Sequence, residues 1–176
     1  MSNAKVADVA IMMGSKSDLE TMKAAAEILK KLGLTVTVRV LSAHRTPEQA
    51  AAFVRESTAG GTKVFICGAG VAAHLAGAVA AHTTRPVIGV PIAAGTLGGF
   101  DALLSTVMMP PGMPVATVAV GGAENAGLLA AQIIAAGDAA LGERVAAERE
   151  ARRKKVLDSD AEVRAQFGRG AKPPGA

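Results

Sequence analysis

Five short apolar runs alternate along the chain with longer segments of helical character. Each run is followed at once by a glycine, a proline or a polar loop, as is typical of strands buried on both faces of a parallel sheet. Because strands and helices alternate, the sequence predicts an α/β fold with helices on both faces of the sheet. The predicted strands are Val6 to Met13, Thr35 to Leu41, Val64 to Cys67, Val87 to Val90 and Val115 to Val120.

Local signals place helices between these strands. Ser17 is the expected N-cap of the first helix and Gly33 its stop, and Thr46-Pro47 begins the second helix. Five strands suit a three-layer flavodoxin-like fold with a five-stranded parallel sheet, in which the first and third strands lie side by side. Further helices are predicted over 72–81, 100–107, 125–136 and 138–166.

The chain shows no internal repeat and no linker. We predict a single flavodoxin-like domain over residues 1–140, an extended, charged C-terminal helix over 141–167 and a disordered tail over 168–176. Residues 142–176 hold nine Lys/Arg against six Asp/Glu, so they carry +3 of the total charge of +4. The body is therefore nearly neutral, and with four Phe but no Tyr or Trp it lacks stacking platforms. Nucleic acid is not an expected partner.

Cysteine content and hydropathy indicate the cellular compartment that suits the protein. Cys67 is the only cysteine, which excludes an intramolecular disulfide and a cysteine-based metal cage. It lies in an apolar strand, so we predict a buried packing thiol. No apolar run reaches the roughly 18 residues that span a bilayer, and we expect no secretory signal. These features favour a cytoplasmic protein with no membrane partner.

Two of the predicted helices, 72–81 and 126–136, are apolar nearly all round. A helix in the outer layer of a single domain normally has a polar face. The alternative is that exposing alanine side chains to water costs little free energy. We predict instead that both helices are buried against other subunits of a homo-oligomer.

Three polar loops follow the first three predicted strands: loop 1 (residues 14–18), loop 2 (residues 42–46) and loop 3 (residues 68–74). Loops that leave the carboxyl ends of parallel strands meet at one edge of the sheet, where ligands bind. The sequence therefore predicts one site, formed by hydroxyls, a guanidinium, a carboxylate and backbone N–H groups. Such a site suits an anionic molecule that carries hydroxyl groups.

Loops 1 and 2 supply the polar side chains. Loop 1 places hydroxyls and N–H groups at a helix N-terminus, which favours an anion, although it lacks the P-loop spacing. Asp18 could cap the helix or accept hydrogen bonds from sugar hydroxyls. In loop 2, His44 is a candidate acid/base beside Arg45, which can grip a phosphate with two hydrogen bonds. His44 could equally be structural, but its neighbours Ser42 and Arg45 favour a functional role.

Loop 3 matches the dinucleotide pattern GxGxxA over residues 68–73. The acidic residue that should end the next strand is missing, so a mononucleotide-sized backbone cradle is favoured over NAD. His74 could face the site or serve only as a helix-start residue, and His82 is interpreted as structural. The three histidines have no acidic partner at helical spacing, so we predict no metal site.

These motifs together resemble the family of N5-carboxyaminoimidazole ribonucleotide mutases of bacterial purine biosynthesis, also called the catalytic subunit of phosphoribosylaminoimidazole carboxylase. The resemblance covers about residues 6–137. The stretches that carry it are Met13 to Asp18, Ser42 to Pro47, Gly68 to Gly70, Ala72 to Leu75, Pro86 to Pro91, Asp101 to Ser105 and Asn125 to Ala130.

The resemblance implies a cofactor-independent homo-octamer that moves a carboxylate from N5 to ring C4 of an aminoimidazole ribonucleotide. It implies that His44 carries the proton and that His74 helps to position the substrate. It also implies a site for the ribose 5-phosphate, formed by Ser15, Ser17, Asp18, Ser42 and Arg45. The imidazole and the carboxylate would be lined by the backbone around Ala69, Gly70, Ala73 and Leu75.

Val71, Ala76 and Met108 stand where the family usually has glycine, proline and glutamine. Three other activities compete with the mutase. A direct carboxylase of aminoimidazole ribonucleotide would carry Lys-Thr in the histidine loop, whereas this chain has Arg45-Thr46. A non-catalytic nucleotide-binding module would keep the phosphate grip without needing His44. A receiver-like signalling domain would need an aspartate after the third strand, where Gly68 stands.

Overall fold

The structure, a computed structural model, describes residues 7–167, so the predicted tail over 168–176 lies outside the described residues. Five parallel strands form one sheet in the order β2-β1-β3-β4-β5. This order is the flavodoxin-like one, so the predicted fold class is confirmed. The strands are β1 Val9–Met13, β2 Val36–Val40, β3 Val64–Gly70, β4 Val87–Ile92 and β5 Ala116–Thr117.

Within residues 7–167 the chain forms six α-helices, which pack on the two faces of the sheet or, in the case of α6, on α5. On one face, α1 and α5 enclose a core around Ile11, Ile66 and Ile88, while α2 and α3 enclose a second core around Met12 and Phe65 on the other face. Side chains alternate between the two faces of a strand, so the fully buried β1 contributes to both cores. The helices are α1 Leu19–Lys31, α2 Pro47–Gly60, α3 Leu75–Ala80, α4 Phe100–Val107, α5 Ala123–Ala135 and α6 Ala139–Phe167. Within residues 7–167, no helix is both long and apolar enough to cross a membrane.

Several predicted boundaries were wrong. The fifth strand is two residues long rather than six. Beyond Thr117 the chain still donates hydrogen bonds to β4, from Val118 N to Gly89 O and from Gly121 N to Pro91 O, but it is no longer a regular strand and turns at Gly121 with φ of 72°. The fourth strand does not end at Val90 but continues through Pro91, whose carbonyl still accepts a hydrogen bond from Gly121 N. A proline lacks only the donor, and its carbonyl can still pair.

The apolar composition of the two helices has a different cause from the predicted burial against other subunits. In α5, Ala126, Ala130 and Ala131 are fully buried within this chain, against α1 and the sheet. The first turns of α6 cover the outer side of α5, with Leu141 completely buried. In α3, four of six residues are buried in the second core. Burial inside the subunit therefore explains both compositions.

A charged network fixes α6 to the body of the domain. Glu148 accepts hydrogen bonds from Lys31 Nζ of α1 at 2.6 Å and from Arg152 Nε at 2.9 Å, and Arg152 also reaches Glu124 of α5 at 2.6 Å. The hydrogen bond from Lys31, followed by that from Arg152, lowers the pKa of Glu148 below its usual value. Beyond Glu148, every described residue of α6 is exposed. This network is therefore the last anchor before the helix enters solvent.

Candidate active site

The three polar loops meet at the carboxyl edge of the sheet, as predicted. Gly14 N donates to Gly68 O at 3.3 Å, which joins loop 1 to loop 3, and Leu41 N donates to Met13 O at 2.9 Å, just before loop 2. The strand order explains this convergence, because β1 lies between β2 and β3. Residues more than 50 positions apart in sequence are thereby brought to one edge.

Loop 1 forms a capping box around a short 3₁₀-helix, Lys16–Asp18, that precedes α1. Ser15 Oγ accepts a hydrogen bond from Ser17 N at 3.3 Å, and Asp18 Oδ2 accepts one from Ser15 N at 3.1 Å. Ser15, and not the predicted Ser17, is therefore the cap, because the extra 3₁₀ turn moves the helix start back by two residues. The Ser17 hydroxyl lies exposed within 2.9 Å of Ser15 Oγ and 3.2 Å of Asp18 Oδ1. The loop presents two hydroxyls and a carboxylate together.

Loop 2 is shaped by its own serine and threonine. The largely buried Ser42 Oγ accepts hydrogen bonds from His44 N at 3.3 Å and from Arg45 N at 3.2 Å. Thr46 Oγ1 accepts from Ser42 N at 2.8 Å and closes the turn. Ser42 therefore positions the two functional side chains, and its hydroxyl hydrogen is still available to donate one bond.

Arg45 connects loops 1 and 2. Its Nη2 donates to Gly14 O at 2.6 Å, while its side chain remains exposed. A guanidinium has five N–H donors in a planar fork, so one bond to Gly14 leaves donors for a ligand. The tether places these donors beside the hydroxyls of loop 1.

The two loop histidines form a direct pair. His44 Nε2 lies 2.8 Å from His74 Nδ1, and the ring planes are nearly perpendicular at 84° with centroids 5.0 Å apart. His74 stands at the N-cap position of α3 without a side-chain capping hydrogen bond, and both rings are exposed at the sheet edge. The pair is therefore open to a ligand and can carry a proton at either end.

Loop 3 is partly strand, because β3 continues through Gly70 by pairing with β4 up to Ile92. A Cβ added at Gly68 would lie 2.4 Å from Met22 Sδ, and one at Gly70 would lie 2.8 Å from Ala94 Cβ. Packing inside the chain therefore favours glycine at both positions, most strictly at Gly70, where the Ile92 carbonyl oxygen also lies 3.1 Å from the added Cβ. At Gly68 the flexible Met22 side chain would have to move. The next helix begins at Leu75 rather than at Ala72.

The four residues predicted to line the substrate differ in exposure. Ala69 and Gly70 are partly exposed at the end of β3, whereas Ala73 and Leu75 are buried as whole residues, main chain included. Ala69 and Gly70 are therefore the more accessible of the four. That these residues line a substrate stays a prediction.

Val71 adopts a strained backbone conformation next to these residues. Its φ is 55°, and it is the one non-glycine residue with positive φ in the described part of the chain. A β-branched side chain in this region is a genuine outlier, with a cost of about 1–2 kcal/mol. Val71 occupies a position where the family that this chain resembles usually has glycine. The main chain therefore keeps a conformation suited to glycine although the residue here is valine.

Val71→Gly is expected to raise the free energy of unfolding by about 1 kcal/mol. Release of the left-handed strain outweighs the extra entropy that glycine gives the unfolded chain, about 0.4–1 kcal/mol. The valine side chain is half exposed, so its loss removes little buried area. Urea denaturation at matched protein concentration measures the change. Ala72→Gly is the control, because Ala72 lacks the positive φ and should lose stability, and a lower stability for Val71→Gly would contradict the strain.

An open pocket of about 600 Å³ adjoins the histidine pair. The sequence pointed to none of its α4 residues as site residues, although 101–105 carry part of the family resemblance. The missed signal is that Leu104 and Ser105 follow the fourth strand and so return to the same edge of the sheet. The pocket is lined by His74, Gly77, Ala78, Leu104, Ser105, Met108 and Met109.

Cys67 lies under the site but takes no visible part in it. The thiol is buried, and this burial raises its pKa well above the usual range. A thiol that stays protonated is a poor nucleophile. The predicted packing role is therefore confirmed.

The fold and the converging loops define a flavodoxin-like protein with a candidate ligand site at the carboxyl edge of its sheet. A family model described as AIR carboxylase matches residues 8–155. The chain belongs to this family, which confirms the resemblance seen in its motifs.

Individual relatives agree with the family assignment. An N5-carboxyaminoimidazole ribonucleotide mutase from Haemophilus influenzae is 51% identical over 158 residues, 89% of this chain and 96% of that protein. One from Methanocaldococcus jannaschii is 50% identical over 159 residues, 90% of this chain and 99% of that protein. The crystal structure of Treponema denticola PurE matches with a TM-score of 0.80 at 31% identity and covers 88% of this chain and 96% of that one.

Proposed function

We propose that this chain is an N5-carboxyaminoimidazole ribonucleotide mutase of purine biosynthesis, which moves the carboxylate of its substrate from N5 to ring carbon C4. The observation that carries the proposal is the exposed pair of His44 and His74 beside the hydroxyls of loop 1 and the guanidinium of Arg45. Relatives about 50% identical over nearly their whole length bear the same activity in their names. Sequence and site therefore point to one reaction.

The substrate phosphate would bind between loops 1 and 2. The Ser15 and Ser17 hydroxyls and the remaining donors of Arg45 lie at the start of α1, where the helix dipole favours an anion. Ser42 can also donate its hydroxyl hydrogen to the phosphate. Asp18 accepts hydrogen bonds from the ribose hydroxyls, because a second anion at the phosphate itself would be repelled.

The base lies towards loop 3. In this arrangement the imidazole and its carboxylate rest against the main chain of Ala69, Gly70, Ala73 and Leu75. Ala69 and Gly70 suit this task, because both are small and partly exposed at the end of β3.

The chemistry needs one proton carrier. His44 donates a proton to N5 as the N5–carboxylate bond breaks and CO2 leaves. C4 then bonds to the retained CO2, and His44 removes the C4 proton, so the enzyme returns to its starting state. General acid–base catalysis of this kind contributes about 10²–10⁴-fold. Holding CO2 beside C4 adds the advantage of a high effective concentration.

We also propose that the protein is a homo-octamer. The support is the apolar face of α4 and the residue that follows it, where Phe100, Leu104 and Met108 recur every four residues and are 61%, 41% and 75% exposed. A face of this kind usually marks a protein interface. It borders the pocket beside His74, so a neighbouring subunit would shield the site from water. Light scattering should give a mass of eight 17.6-kDa chains, and a monomer would contradict the proposal.

An assay with two substrates tests the function. Purified protein is supplied either with N5-carboxyaminoimidazole ribonucleotide or with aminoimidazole ribonucleotide and bicarbonate. Efficient turnover of the first alone supports the mutase. Efficient use of the second would assign direct carboxylation, and binding without turnover of either would assign a nucleotide-binding module. A cytoplasmic location stays a prediction of the sequence.

A further inference from the structure

The imidazole of His44 is held through one nitrogen. Its Nε2 meets His74 Nδ1 at 2.8 Å, and no hydrogen-bond partner for its Nδ1 occurs among residues 7–167. The backbone N–H of His44 is fixed separately by Ser42 Oγ. The ring is therefore tethered at one end and has its other nitrogen available to a ligand.

The proton states of the reaction decide which way this hydrogen bond runs. To donate a proton to the substrate, His44 must be an imidazolium, which has N–H groups at both nitrogens and no acceptor. The 2.8 Å contact can then persist only if His44 Nε2–H donates to an unprotonated His74 Nδ1. When the Nδ1 proton leaves, the same Nε2–H stays in place. No tautomer change is needed before the base step.

We propose that His74 is a positioning residue that accepts a hydrogen bond from His44 Nε2–H throughout turnover, and that His44 Nδ1 is the nitrogen that exchanges the proton with substrate. The inference rests on the proposed function. The proton moves from Nδ1 to N5 as CO2 leaves, and it returns from C4 to Nδ1 after C4 has bonded to CO2. His74 itself neither gains nor loses a proton. This differs from a role in which His74 contacts the substrate.

The tautomers can be observed without turnover. Solid-state NMR of protein labelled with ¹⁵N-histidine, recorded at alkaline pH, separates protonated from unprotonated ring nitrogens. The chain has three histidines, so spectra of His82→Asn and His74→Asn assign all signals. We expect His44 and His74 both to be protonated at Nε2. A His44 protonated at Nδ1 would overturn the proposal.

Kinetics of substituted enzymes test the consequence. His74→Leu removes the acceptor, and a misplaced imidazole should lower kcat by about 100-fold with little change in KM. His74→Asn should recover most of the lost kcat, because its Oδ1 can accept the same hydrogen bond. His82→Leu is the matched control and should leave both constants unchanged.

The outcomes separate two kinds of failure. An increase in KM for His74→Leu at unchanged kcat would show that His74 acts on the substrate, and would overturn the proposal. Failure of His74→Asn to recover activity that His74→Leu loses would do the same. If His74→Leu does not fold, His74→Asn and the spectra of the unaltered protein still decide. Lack of turnover by the unaltered protein would instead contradict the proposed function.

Discussion

His44→Asn is expected to abolish turnover while the fold and ligand binding survive. Asparagine can keep a hydrogen bond to His74, but its amide cannot deliver or remove a proton near neutral pH. The loss should be about 10²–10⁴-fold in kcat, the usual contribution of a general acid or base. The exposed ring supports no part of either hydrophobic core, so the unfolding midpoint should stay close to that of the unaltered protein.

The measurement combines steady-state kinetics with calorimetric binding of aminoimidazole ribonucleotide. His82→Asn serves as the control, because it removes an exposed histidine outside the three loops. Retained activity in His44→Asn would remove His44 from the mechanism. Loss of binding together with activity would instead make His44 a ligand-holding residue.

Arg45→Ala is expected to act mainly on binding. Hydrogen bonds from a guanidinium to a phosphate contribute about 1.5–3 kcal/mol, which corresponds to a roughly 10- to 100-fold increase in KM. The substitution also removes the bond from Nη2 to Gly14 O, so loop 1 loses its tether to loop 2. Because the proton carrier is untouched, kcat should fall much less than KM rises.

Two further variants sharpen this test. Arg45→Lys keeps the charge but loses the planar guanidinium, so its KM should lie between that of the unaltered protein and that of Arg45→Ala. Arg85→Ala removes a guanidinium just before β4, at the opposite edge of the sheet, and should change neither constant. An unchanged KM in Arg45→Ala would contradict a phosphate-binding role.

The three central strands of the sheet were predictable because they are buried on both faces. The runs that end at Met13, Cys67 and Val90 are continuous and apolar, and each became a central strand. The fifth strand lies at the edge, where only Ala116 and Thr117 pair with β4, so hydrophobicity overstated its length. Strand order then explains why the loops after three separate strands share one edge.

The site was predictable only at the level of its loops. Strand order brings His44 and His74 to one edge, but the 2.8 Å contact depends on side-chain directions that no spacing of 30 residues encodes. Ser15 replaced Ser17 as the cap because a 3₁₀ turn carries no strong sequence signal. The glycines at 68 and 70 suggested ligand approach, whereas a Cβ at these positions would collide with Met22 and Ala94 inside the chain.

The transfer of an isotopic label tests the central claim most directly. N5-carboxyaminoimidazole ribonucleotide carrying ¹³C in its carboxylate is converted in the presence of excess unlabelled bicarbonate, and the product is analysed by mass spectrometry. If the site around the paired histidines moves the carboxylate within one molecule, the product should keep the ¹³C in most turnovers. A product that carries mainly unlabelled carboxylate would contradict the account and assign the chain to direct carboxylation.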